Sequence, residues 1–188
     1  MNFMFVRNKT DSGRVLSGMK AKHQRYEALV KAFHTDIYRY AYWLVKDRSV
    51  AEDIVQETFL RAWRSLDALN DEKAAKSWLI TILRRENARR FERKQLDTVD
   101  IDDEHIHDDT QQADVDIHNR DLHRLLGGLS DEYREPLVLQ LIFGFSGEEI
   151  AAQLGLNKNT VMTRLFRARS QLRETLERQN EQRGRVNG

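Results

Sequence analysis

Between Asn159 and Arg169 the chain gathers Met162, Thr163, Arg164, Phe166, Arg167 and Arg169. Guanidinium groups at that density suit phosphate contact, and hydroxyl, aromatic and arginine side chains together suit base edges. This is recognition chemistry. Neither a phosphate-binding glycine loop nor a nucleophile motif accompanies it. The chain has no cysteine, which excludes disulfides, thiolate metal sites and a cysteine nucleophile. A second cluster needs weighing. Residues 97–116 hold nine acids, no Lys or Arg, and His105 and His107. His-x-His beside carboxylates could ligate a metal, but so acidic and weakly periodic a stretch reads more simply as a solvated tether. His23, His34, His118 and His123 have no ligand or triad spacing. No cofactor or metal is expected.

The arginine cluster needs an element to carry it. Ser146 and Glu149 have capping-box spacing, so a helix should begin there. Ile150, Ala151 and Leu154 give that helix an apolar face, and Gly155 suits the left-handed residue that ends it. Leu156 would fill the corner, with Asn157 or Asn159 capping the next helix. In that helix Val161, Leu165, Ala168 and Leu172 recur at helical spacing and should face inward. The unit is a helix-turn-helix with its arginines outward, suited to the major groove. Two amphipathic helices in an ordinary bundle would share the spacing, the arginines then being a solvated face.

The segment Asn-Thr-Val-Met-Thr-Arg-Leu-Phe-Arg-Ala-Arg, residues 159–169, resembles the Gly-Thr-Val-x-Ser-Arg-x-x-Arg-Ala-Arg signature of extracytoplasmic-function sigma factors. These are the smallest sigma subunits of bacterial RNA polymerase. Asn159 stands where glycine is usual, a change that left-handed backbone angles would tolerate in Asn. Thr163 replaces serine and keeps the hydroxyl. The resemblance implies that this helix reads the upstream (−35) promoter element. Thr163, Phe166 and Arg167 are then candidate base contacts, with Met162, while Lys158, Thr160 and Arg164 complete the surface, Lys158 and Arg164 as phosphate positioners.

A second motif lies at Ala51–Ser65. At 100° per residue Val55, Thr58, Phe59, Ala62 and Leu66 fall on one side, a core face. Asp53, Gln56, Glu57, Leu60 and Arg64 fall on the other. A polar stripe with one leucine is the mixed character of a partner surface, or else a solvated face with a stray leucine. Asp-x-x-Gln-Glu followed by an apolar residue and tryptophan resembles sigma region 2.2. That implies docking on the clamp helices of the largest polymerase subunit, with Asp53, Gln56 and Glu57 as polar contacts and Phe59, Leu60 and Trp63 as apolar or supporting ones. Phe59 and Trp63 also fit a core.

After a connecting loop, Leu66 to Ser77, comes a basic helix. Trp78, Leu79, Ile82, Leu83 and Phe91 form its packing stripe; Arg84, Arg85, Arg89, Arg90, Arg93 and Lys94 crowd the rest. Such a helix suits phosphate contacts and base stacking, although charge runs are commonly just solvated. In the family this place belongs to regions 2.3 to 2.4, which capture the non-template strand of the downstream (−10) element. Trp78, Arg84, Arg85, Asn87, Arg89 and Arg90 are the residues so implied. The family pattern Trp-Leu-x-x-Ile-Ala-x-Asn is only partly kept, with Leu83 and Arg85 at its last two defined positions and an asparagine two residues later.

Strand-like alternation is absent, so the expected fold is all-α: two small helical domains joined by an acidic flexible linker, the C-terminal one a helix-turn-helix. The divisions fall at 1–21, a polar extension; 22–94, region 2; 95–119, the linker; 120–178, region 4; and 179–188, a polar tail. Pro136, the only proline, predicts a kink or a later start for the helix after Ser130. Net charge is only +1 despite 32% charged residues, so DNA attraction must be local. No apolar run approaches the roughly 20 residues of a bilayer span, and the N-terminus lacks the apolar core of a secretory signal. The resemblance implies a cytoplasmic, non-enzymatic initiation subunit. Its partners would be RNA polymerase core (clamp helices and flap) and promoter DNA, with an anti-sigma factor as a further candidate. A free-standing helix-turn-helix regulator is the alternative, although it leaves the region 2 match without a purpose.

Overall fold

The computed structural model describes residues 9–97 and 125–186, and among them the ordered structure is entirely helical. The acidic segment with His105 and His107 lies outside the described residues. Helix α1 runs Lys9–Val45, through residues 9–21 that the sequence suggested were an extension. Lys46, in the left-handed region at φ 54°, turns the chain. Asp47 then caps α2 (Arg48–Arg64), its carboxylate accepting from the Val50 amide at 2.9 Å. Two short 3-10 turns, Leu66–Ala68 and Glu72–Ala74, lead to α3 (Ala75–Asp97). After the acidic segment come α4 (Asp131–Phe143), α5 (Gly147–Leu154) and α6 (Lys158–Val186).

Helical periodicity dictates what is buried. On α2 the predicted face Val55, Thr58, Phe59 and Ala62 is buried, and Leu66 with it. On α6 Val161, Leu165 and Ala168 are buried, with Leu172 packed against them. One expectation fails and another is narrowed. Of the two outcomes predicted for Pro136, the later start does not occur: α4 begins at Asp131 and carries the buried proline inside. The proline has no amide hydrogen to offer the Glu132 carbonyl, and its ring fills core space. Phe91 leaves the packing stripe of α3, being 65% exposed, because burial along α3 stops at Glu86. Ile80, which the stripe omitted, is fully buried.

The two halves share one core. Buried side chains run without a break from Leu29 in α1 to Ala168 in α6. Tyr40, fully buried, meets Phe143 of α4 edge-to-face at 5.8 Å and donates to Glu135 Oε1 at 2.7 Å. Burial, and then the Glu135 carboxylate, push the Tyr40 phenol well above its ordinary pKa. Arg84 Nε lies 3.1 Å from the same carboxylate, and its Nη1 donates to the Gln153 carbonyl. Gln153 donates to Thr81 at 3.1 Å, and Lys76 to the Phe143 carbonyl at 3.3 Å. Thus α1 and α3 hold α4 and α5 directly, a joint that the sequence did not reveal.

Candidate nucleic-acid and partner interfaces

Local chemistry builds the helix-turn-helix. The Ser146 amide donates to Glu149 Oε2 at 2.8 Å, while the Glu149 amide donates to Ser146 Oγ at 3.3 Å. These bonds satisfy orphan amides at the start of α5 and hold the Glu149 carboxyl below its usual range. Gly155, at φ 65°, ends α5, and the Leu156 amide returns to the Ala151 carbonyl at 2.9 Å. Asn157 is the side-chain cap of α6, accepting from the Thr160 amide at 2.7 Å. Asn159 lies in the first turn of α6 without a positive φ, so it fills the glycine position with no need of left-handed backbone. Ser146→Ala should cost about 1 kcal/mol of stability, read from chemical denaturation; an unchanged midpoint would show that water replaces the cap.

The outer face of α6 is open. Phe166 is 71% and Met162 48% exposed, and Thr163 and Arg167 are exposed beside them. Thr163 spends its hydroxyl proton on the Asn159 carbonyl at 2.9 Å, keeping its lone pairs for acceptance. Met162 lies across Gly147: a Cβ there would come within 3.0 Å of its sulfur. Lys158 pairs with Glu148, whose carboxyl is held below its ordinary range chiefly by that hydrogen bond. Arg169 donates to Gln140, and Thr160 is half-buried. The first turn of α4 approaches the same face. Glu132 Oε2 is 3.5 Å from Arg164 Nη2, and Arg167 Nη1 donates to the Tyr133 hydroxyl at 3.2 Å. These residues, with Asn157, Asn159, Thr160 and Thr163, line a cleft of about 550 Å³. Glu132 and Tyr133 belong to a different helix, and no motif in the sequence marks them.

On α2, Asp53, Gln56 and Leu60 are exposed and Glu57 is half-exposed, one face as the periodicity predicted. Phe59 is buried, stacked on His34 at 5.6 Å. Trp63 lies under α1, edge-on to Tyr26 at 5.1 Å, with Lys22 Nζ 5.5 Å from its ring centre. Both rings thus pack against side chains of α1. The basic residues of α3 do not form one free surface. Arg90 Nη1 is 3.5 Å from Asp53, and Arg89 Nη1 is 2.8 Å from Glu86, a largely buried carboxylate that also meets Arg61 at 2.6 Å. Arg84 is in the joint. Arg85 is exposed, and Asn87 and Trp78 are half-buried. Among the described residues no three His, Asp or Glu side chains gather in a metal-binding group, and no helix is long and apolar enough to cross a membrane.

A helix-turn-helix with an exposed arginine face, set after a helical half, is the architecture of a DNA-directed protein. Comparison with known proteins makes the class particular. Residues 29–96 match Sigma-70 region 2 and residues 119–172 match Sigma-70, region 4. RNA polymerase sigma factor SigV of Bacillus subtilis (strain 168) is 36% identical over 145 residues, covering 77% of this chain and 87% of the relative. ECF RNA polymerase sigma factor SigL of Mycobacterium tuberculosis (strain ATCC 25618 / H37Rv) is 35% identical over 161 residues, covering 80% and 90%. Among solved structures, the sigma factor RpoE in complex with the anti-sigma factor NepR from Bartonella quintana aligns with a TM-score of 0.62 at 30% identity, over 84% of this chain and 98% of that one. CnrH in complex with the cytosolic domain of CnrY aligns at 0.59 and 26% identity, over 87% and 96%. The chain belongs to the extracytoplasmic-function sigma factors of the sigma-70 family, non-enzymatic subunits that direct RNA polymerase to particular promoters. A free-standing regulator is thereby set aside.

Proposed function

We propose that this sigma factor reads promoters in two places. The outer face of α6 enters the major groove of the −35 element, with Thr163, Phe166, Arg167 and Met162 at base edges and Lys158, Thr160 and Arg164 toward the backbone. The exposed face of α2, Asp53, Gln56, Glu57 and Leu60, docks on the clamp helices of the polymerase, with Phe59 and Trp63 behind it, and region 4 meets the flap. The loop Leu66–Ser77 and α3, through Trp78, Arg84, Arg85, Asn87, Arg89 and Arg90, capture the −10 strand. One observation carries this most directly: Phe166, a large apolar side chain, stands 71% exposed between arginines on a capped helix. The working place is the cytoplasm, beside polymerase. An anti-sigma partner is part of the reading, since RpoE was solved in complex with the anti-sigma factor NepR.

The test is transcription with purified core polymerase, with and without this chain, on a genomic promoter library. New discrete starts sharing both an upstream and a downstream element are expected. Starts sharing only a downstream element would remove α6 from recognition. Docking has its own test. Asp53→Arg with Glu57→Arg should sharply reduce recovery of core polymerase in a pull-down, because reversed charge meets a surface selected for acids. Wild-type recovery would take α2 out of the interface.

A further inference from the structure

The recognition arginines do not stand alone: the helix before the helix-turn-helix reaches over to them. Tyr133 packs its half-buried ring against the core, which fixes the ring, and holds its hydroxyl out at the edge of the α6 cleft. Arg167 Nη1 donates to that hydroxyl at 3.2 Å. One turn earlier, Arg164 meets Glu132, the residue beside Tyr133. The two contacts match in pitch: consecutive residues on α4 serve two arginines three apart on α6, and these share one face of a helix.

An arginine on an exposed helix face is otherwise free through four side-chain torsions, and ordering them opposes binding. A donor already tied to a rigid post loses less of that freedom when DNA arrives. The tie also leaves the binding edge available. Guanidinium has five N–H donors, and one of those on Nη1 is engaged by Tyr133. The edge formed by Nε and Nη2 stays free for the two parallel hydrogen bonds that a guanine edge accepts.

From this geometry we infer that Tyr133 is a positioning residue for promoter recognition, aiming Arg167 at its base pair from outside the helix-turn-helix. The inference rests on the assignment of α6 to the −35 element. It concerns specificity more than affinity, since Tyr133 acts through one arginine and so through one base pair.

The test is a double-mutant cycle on the full chain assembled with core polymerase. Promoter fragments from the library are used, with each upstream base pair substituted in turn. Tyr133→Phe keeps the ring and removes only the hydroxyl, so thermal stability should match wild type. Promoter binding should weaken about three- to tenfold, discrimination should relax at one base pair, and the loss should vanish in an Arg167→Ala background. Tyr133→Phe with unchanged discrimination, or with a loss that persists without Arg167, would overturn the inference while leaving α6 in the groove. Arg167→Ala binding every fragment like wild type would overturn the assignment of α6, and the inference with it.

Discussion

Arg167→Ala should weaken recognition of the upstream element by about 1–3 kcal/mol, and the loss should concentrate at one base pair. The size follows from the contact. A guanidinium on a base edge makes two charge-assisted hydrogen bonds, and truncation leaves the base acceptors facing the methyl group of alanine. Stability should be untouched, because Arg167 is exposed and its hydrogen bond to Tyr133 lies at the surface. Lys158→Ala gives the contrast. A phosphate contact carries no sequence information, so binding should fall about evenly across promoters and the salt slope should drop by about 1. That fall should be small, since Lys158 must first leave Glu148, to which it is paired. Binding measured at several salt concentrations on wild-type and substituted promoters separates the two. An Arg167→Ala profile uniform over all promoters would move Arg167 from the bases to the backbone.

The sequence discloses the local parts of this site because local rules govern them. Ser146 and Glu149 are three residues apart and bond each other; Gly155 takes the left-handed turn that its missing Cβ permits. The two faces of α2 follow from a 100° step alone. Phe91 shows where such reasoning stops. Periodicity says which way a side chain points but not how far along α3 a neighbour extends, and burial ends at Glu86. The basic residues of α3 teach a second limit. As a list they are one charge run, yet in the fold Arg84 faces Glu135, Arg89 faces Glu86 and Arg90 faces Asp53. Glu86 lies one turn before Arg89 and is within reach of a local rule, whereas the carboxylates of Arg84 and Arg90 come from elements distant in sequence. Tyr133 is invisible for the same reason, since its significance lies in a residue on another helix.

The joint between the halves should respond most strongly to Tyr40. Tyr40→Ala removes a fully buried ring, its edge contact with Phe143 and its hydrogen bond to Glu135. Truncating a large buried aromatic costs about 3–5 kcal/mol, and at this chain length each kcal/mol lowers Tm by roughly 2–4 °C. Because Glu135 keeps Arg84 as a partner, the carboxylate is not stranded, which argues for the lower end of that range. Since the buried core is continuous, the wild-type chain should unfold in one transition. The variant should lose contact between α1 and α4 first and give a larger radius of gyration in solution scattering before helicity is lost. Tyr40→Phe isolates the hydroxyl. With its phenol pKa raised by folding, Tyr40 stabilises the fold fully below about pH 10, the ordinary tyrosine value. The contribution fades above that, because the unfolded chain then ionises while the folded one resists. The difference in stability between wild type and Tyr40→Phe should therefore shrink as pH rises past 10. A difference independent of pH, or a Tyr40→Ala chain as compact and as stable as wild type, would mean that α1 and α4 do not stay packed in solution. Arg84 bears on the same question from the other side. Its guanidinium spends Nε on Glu135 and one Nη1 proton on the Gln153 carbonyl, which leaves three N–H donors. Any contact it makes with the −10 strand while the joint stays closed must use those remaining donors.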